Sequence, residues 1–127
     1  MPRHMSFSMT TEAVRNREKT VTRRLGWDFL KPGDVLWAVE KGMGLKKGEK
    51  VKKICLIRVV NTEWESVGSM TDVDPITGYC RGWDEVQREG FPELTPLEFV
   101  EMFCQANRCH EDDPVNRIEF EYVEAKL

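Results

Sequence analysis

Long apolar runs are missing from this 127-residue chain, and their absence removes one class of explanation at once. No stretch approaches the roughly 20 apolar residues that a membrane-crossing helix needs. The N-terminus lacks the apolar core of a secretory signal. The expected setting is therefore the cytoplasm, with no membrane partner. Without a secretory signal, the four cysteines Cys55, Cys80, Cys104 and Cys109 read as reduced thiols rather than as a disulfide framework. Cys104 and Cys109-His110 have a metal-like flavour, but no second pair stands at the short spacing a structural zinc site uses. Neither a metal nor a cofactor is expected. The glycines form no phosphate-cradling loop, because no Gly-Lys-Ser/Thr triplet occurs among them. Internal repeats and low-complexity linkers are also lacking.

What is present describes a globular protein. The apolar fraction is 40% and the charged fraction 32%. A chain of this length is expected to form one domain over residues 1–127 and to bury roughly two-thirds of its unfolded surface. The net charge of −3 hides a division. Residues 1–58 hold 14 Lys/Arg against 6 Asp/Glu, a balance of +8, whereas residues 59–127 hold 5 against 16, a balance of −11. A basic first half suits a nucleotide or a short single strand. The sequence pI of about 5.5 argues against a dedicated duplex binder.

Taken in order, His4 to Met9 alternates loosely and reads as a first strand. Thr10 or Thr11 then caps a short helix over Glu12 to Glu18, with Ala13 and Val14 as its buried residues. Leu25 to Leu30 is a turn with large apolar side chains, among them Trp27, a core plug or a base-stacking platform. Lys31-Pro32-Gly33-Asp34 is a turn signal that opens a buried strand over Val35 to Val39. Lys41 to Lys53 holds three glycines and six lysines, a hairpin-like loop of positive potential that includes Lys46 and Lys47. It reads equally as a phosphate-steering flap or as a solvated loop.

Ile54 to Val60 is almost continuously apolar and reads as a central strand buried on both faces, running on through Glu65 as a bent edge. Ser66 to Arg81 is irregular, a lid or an ordinary long loop. Trp83 to Arg88 reads as a helical turn capped at Gly90. Thr95-Pro96-Leu97-Glu98 has the capping-box pattern, opening a helix whose apolar stripe is Leu97, Val100, Phe103 and Cys104 and which stops near Asn107. The last strand turns Ile118, Phe120 and Tyr122 to one side and Glu119 and Glu121 to the other. Mostly antiparallel strands with peripheral helices give an α+β protein built on a small barrel.

The densest chemistry lies in Arg17-Glu18-Lys19-Thr20-Val21-Thr22-Arg23-Arg24. Guanidinium groups fork onto phosphate oxygens, and an ammonium adds a compact charge. On a strand, Thr20, Thr22 and Arg24 share one face, so Lys19 joins Thr22 in a pocket only if the chain bends. A threonine hydroxyl becomes a nucleophile when a neighbouring base takes its proton, and a lysine held dry near Arg23 and Arg24 can be that base.

Lys19-Thr20-x-Thr22-x-Arg24, followed by Gly33-Asp34-Val35, resembles the ASCH domain family, whose fold is a PUA-like, small, mixed and mostly antiparallel β-barrel with peripheral helices. Thr22 places it nearest the amidohydrolase branch, which removes the acetyl group of N4-acetylcytidine. Much of the wider family carries Glu at that position. The resemblance implies catalytic roles for Lys19 as base, Thr22 as nucleophile and Glu89 as acid. Arg23 or Arg24 would anchor the substrate, with Trp27, Lys46 and Lys47 as further binding residues. The partner it implies is a modified nucleoside. The alternative is a non-catalytic module that binds single-stranded RNA, with Trp27 or Trp64 stacking on a base. The chain departs from the family at Arg17, where Gly is usual, and in the added length of the lysine-rich loop and of Ser66 to Arg81.

Overall fold

The computed structural model describes residues 2–42 and 45–124, so Met43 and Gly44 of the lysine-rich loop lie outside the described residues. Among the described residues nine elements follow one another: β1 (Arg3–Ser6), α1 (Thr11–Arg15), β2 (Val21–Arg24), β3 (Val35–Val39), β4 (Lys53–Ser66), a 3-10 turn (Val67–Thr71), α2 (Gly82–Arg88), α3 (Pro96–Asn107) and β5 (Pro114–Val123). The strands make one sheet in the order β1-β3-β4-β5-β2. Only β1 and β3 run parallel, and every other neighbouring pair is antiparallel. The sheet curls into a half-barrel with peripheral helices, a PUA-like α+β architecture.

Turn chemistry sets the curl. Gly33 takes φ +96°, and its N–H donates to the Val59 carbonyl while the Val59 N–H donates to Asp34. The turn is thereby pinned to the middle of β4, where the ladder with β5 slips between Val59 and Asn61. An extra residue in one strand bends it and increases its twist, so this 14-residue strand serves both halves of the curved sheet.

Two apolar clusters fill the protein. The first lies inside the half-barrel and gathers Met5, Phe7, Val14, Leu36, Ile57, Val59, Ile118 and Phe120. The second joins the 3-10 turn, α2 and α3 to Val115, through Val67, Met70, Val86, Phe99, Val100 and Phe103. Because these helical elements gather against the start of β5, the outer face of β4 stays open. Arg58, Asn61 and Glu63, paired with Glu121, Glu119 and Arg117, are exposed there, which corrects the expectation of burial on both faces.

The helix signals were read closely, with differences that follow from phase. Thr95 accepts from the Glu98 N–H at 3.1 Å and Glu98 accepts from the Thr95 N–H at 2.9 Å, completing the capping box. Beginning at Pro96, the buried residues are Pro96, Phe99, Val100 and Phe103, the i, i+3, i+4, i+7 series. Leu97 falls one residue off that stripe and is exposed, so Phe99 takes the place expected of it. α1 is shorter than expected, and Ala13 is only half-buried while Val14 is fully buried. No side chain caps α1; the Thr11 hydroxyl donates instead to the Phe7 carbonyl. Asn116 and Arg117 are buried within β5.

Candidate functional site

The bend that Lys19 requires is made immediately after α1. Arg17 adopts φ +60°, a left-handed conformation that glycine takes with least strain. The Glu18 and Lys19 N–H groups then fold back onto the Ala13 carbonyl, at 2.8 and 3.2 Å. The next residue is held from two sides: the Thr20 N–H donates to Arg88 at the end of α2, and its carbonyl accepts from Phe120 on β5. Lys19 therefore points into the protein before β2 begins, and Thr22 and Arg24 follow on the strand. On the opposite side Gly90, at φ +91°, ends α2 and lets the chain pass close to α1; a Cβ there would lie 3.0 Å from that of Ala13.

A network of buried charges joins these elements. Lys19 Nζ donates to Glu89 Oε1 at 2.8 Å and also to the Glu89 carbonyl. Arg23 donates Nη1 to Glu89 Oε2 at 3.0 Å, Nε to Glu65 Oε2 at 3.2 Å and Nη2 to Glu85 Oε1. Arg117 forks onto Glu85, with Nε–Oε1 at 2.6 Å and Nη2–Oε2 at 3.0 Å. Arg23 and Arg117 stand directly opposite one another in the β2–β5 ladder, a pairing of like charges that would be destabilising alone. Glu85 accepts from both and resolves it.

Burial pushes the Lys19 ammonium below its ordinary value, against the opposing pull of Glu89. Burial would raise the Glu85 carboxyl, but Arg117 and Arg23 outweigh it and hold the group at about 2. For Arg23 burial is likewise outweighed, here by Glu89, Glu65 and Glu85, and its value rises. Arg24 is different. Among the described residues no carboxylate pairs with it, and burial takes it down to about 10. Its Nε donates to the Thr22 hydroxyl at 3.1 Å and its Nη2 to the Ser6 carbonyl at 2.6 Å. The second contact spans from β2 to β1, the two outer strands of the sheet.

Lys19, Thr22, Arg23, Arg24 and Glu89 all line one cavity of about 270 Å³. Its remaining wall has two characters: the small polar residues Ser6, Ser8 and Thr10, and an apolar side that includes Phe91, Phe99 and Phe103. A pocket with one apolar wall and a few convergent polar groups suits a small ligand with a flat or aliphatic body. Trp27 is not part of it: half-buried, it packs against the first apolar cluster, with its ring 5.5 Å from that of Phe29. Lys46 and Lys47 sit exposed on the loop between β3 and β4, away from the cavity wall. The stretch from Ser66 to Arg81 contributes nothing to that wall and buries Val67 and Met70 in the second cluster.

Glu85, Glu65 and Arg117 were missed from the sequence. Glu85 and Glu89 stand one helical turn apart, so they share a face of α2. Two like charges on a buried face announce a cation between them, and that signal was available. Nothing local marks Glu65 or Arg117. Among the described residues, no group of three or more His, Cys, Asp or Glu is placed to hold a metal ion, and the four cysteines are free. No described helix is long and apolar enough to cross a membrane.

No protein-family model matches the sequence, and no curated protein does either. Solved structures do. The hypothetical protein PH0355 superposes with a TM-score of 0.62 at 17% identity, over 97% of this chain and all of that one. The ASCH domain from Lactobacillus crispatus JV V101 gives 0.60 at 15% identity, over 94% of this chain and 78% of that one. Protein EF3133 from Enterococcus faecalis V583 gives 0.54 at 16%, over 97% and 80%. The likeness is one of fold. This chain has the fold of an ASCH domain, the architecture that Lys19 to Arg24 led us to expect.

Proposed function

We propose that the cavity binds a modified, cytidine-like nucleoside and that Lys19, Thr22 and Glu89 hydrolyse its N4-acyl amide. The observation that carries this reading is the convergence of those three side chains, from the bend, β2 and the end of α2, on one cavity. Lys19 Nζ lies 2.8 Å from Glu89 Oε1, so a proton can pass between them. Burial favours the neutral Lys19 amine, the form that can act as base.

In the neutral form the chemistry balances. The Thr22 hydroxyl adds to the acyl carbon and its proton passes to the Lys19 amine. The C–N bond breaks as the Glu89 carboxyl gives its proton to the departing exocyclic nitrogen. Water then adds to the acyl-threonine ester, losing a proton to the Glu89 carboxylate. Thr22 recovers its proton from the Lys19 ammonium as the acid leaves.

The test is release of cytidine from N4-acetylcytidine by the purified protein beside Thr22→Ala and Lys19→Ala. Turnover by the parent and by neither variant supports the hydrolase. Absence of turnover by the parent moves the weight to a non-catalytic module for single-stranded RNA. Trp64, half exposed on β4, and the exposed Lys46 and Lys47 favour that second reading. It predicts binding of short strands that weakens steeply as salt rises.

A further inference from the structure

Arg23 and Arg24 are neighbours in sequence, yet only one of them has its charge answered. Each nitrogen of Arg23 meets a carboxylate, so that residue serves to hold Glu85, Glu89 and Glu65 together. Arg24 meets a hydroxyl and a carbonyl, both neutral, and lies 4.9 Å from the Phe7 ring. A guanidinium withdrawn from water without an anion is costly, and proteins ordinarily pair such a group. Here it lines a cavity together with Ser6, Ser8 and Thr10. A forked guanidinium beside small hydroxyl-bearing residues is a setting that receives a phosphate or a carboxylate.

We infer that the ligand of this cavity carries an anionic group, phosphate or carboxylate, that docks at Arg24, in a wall it shares with Ser6, Ser8 and Thr10. On the proposed nucleoside reading, on which this rests for the ligand's body, the substrate is a nucleotide or an acyl nucleoside with an acidic tail. The anion completes the charge balance that the protein leaves open. It also bears on Thr22, since the same guanidinium donates to the Thr22 hydroxyl.

Calorimetric titration tests this with N4-acetylcytidine, its 5′-monophosphate and N4-succinylcytidine, using parent, Arg24→Gln and Arg24→Lys proteins. One of the two anionic compounds is expected to bind about tenfold tighter than N4-acetylcytidine, the scale of charge-assisted hydrogen bonds. A gain with the monophosphate places the anion on the sugar, and a gain with the succinyl compound places it on the acyl group. Arg24→Gln should erase the gain. Arg24→Lys, which keeps the charge but not the fork, should keep part of it and covers the case in which Arg24→Gln does not fold. Equal binding of all three compounds, or a gain that survives Arg24→Gln, overturns the inference while leaving the nucleoside reading intact. If no cytidine compound binds, yet inorganic phosphate raises the Tm of the parent and not of the Arg24 variants, the anion site stands and the nucleoside reading falls.

Discussion

Two stretches of this chain are dense in cations, residues 17–24 and residues 41–53, and folding treats them in opposite ways. In the first, the Arg23 side chain is wholly buried and that of Lys19 is 3% exposed. In the second, Lys46, Lys47, Lys50 and Lys52 all stand in solvent. The number of charges does not separate them. What differs is the chain that comes to meet them: Glu85 from α2, Glu89 at its C-cap and Glu65 from β4 meet the first stretch, whereas among the described residues no carboxylate forms an ion pair with Lys46, Lys47, Lys50 or Lys52. The lopsided charge of the two halves of the sequence is thus partly consumed inside the protein, acidic second half against basic first half.

Removing the carboxylate that separates the two arginines is the strongest way to break this contrast. Glu85→Ala leaves Arg23 and Arg117 facing each other and is expected to cost about 3–5 kcal/mol in chemical denaturation. A loss under about 1 kcal/mol would mean that water reaches the network and the burial argument fails. Acid should have a nearly comparable effect through the same residue. Glu85 has a folded value of about 2 against an ordinary 4.5, so its stabilisation is fully present above about pH 4.5 and is lost as pH falls toward 2. The size is on the order of 3 kcal/mol, read as the slope of unfolding free energy over that range. The slope should flatten in Glu85→Gln.

Arg17 sharpens the comparison from a third position, an exposed cation at the bend between helix and strand. Its side chain reaches Glu124 on the surface and lies 5.8 Å from the Tyr122 ring, while its backbone is left-handed. Arg17→Gly is expected to raise Tm by roughly 3 °C, since the strain relieved exceeds the entropy that glycine adds and little is lost with an exposed ion pair. A drop in Tm would show that the surface contact matters more than the backbone. The smallest effect belongs to the loop: Lys46→Ala and Lys47→Ala together should change stability by no more than about 0.5 kcal/mol. They should reduce the salt dependence of single-strand binding only if the RNA reading holds.

The parts of the fold legible in sequence were those written in local chemistry. Thr95 and Glu98 declare a capping box within four residues, Gly33 and Asp34 declare a turn, and alternation over Ile118 to Tyr122 declares a half-buried strand. The cation-rich motif led to the ASCH fold because its residues are close together in the chain. Burial of β4 was overestimated because apolar content says nothing about where helices will pack. The phase of α3 depended on Pro96 as its first buried residue, and a stripe counted from Leu97 missed it. Glu89 was reached only through resemblance, since 70 residues separate it from its partner Lys19. The network behind it was illegible for the same reason: Glu65, Glu85 and Arg117 come from three elements that only tertiary packing assembles.

The contact between Arg24 and the Ser6 carbonyl has one further consequence. A sheet that stops short of closure has two free margins, and here a single side chain stands where a full barrel would have a ladder of backbone bonds. Among the described residues no strand pairing joins β1 to β2, so this margin is held by side chains, the Arg24 hydrogen bond and its stacking over Phe7. If an anion docks at Arg24, it meets the same guanidinium that fastens the two margins, and the arginine would be latch and receptor together.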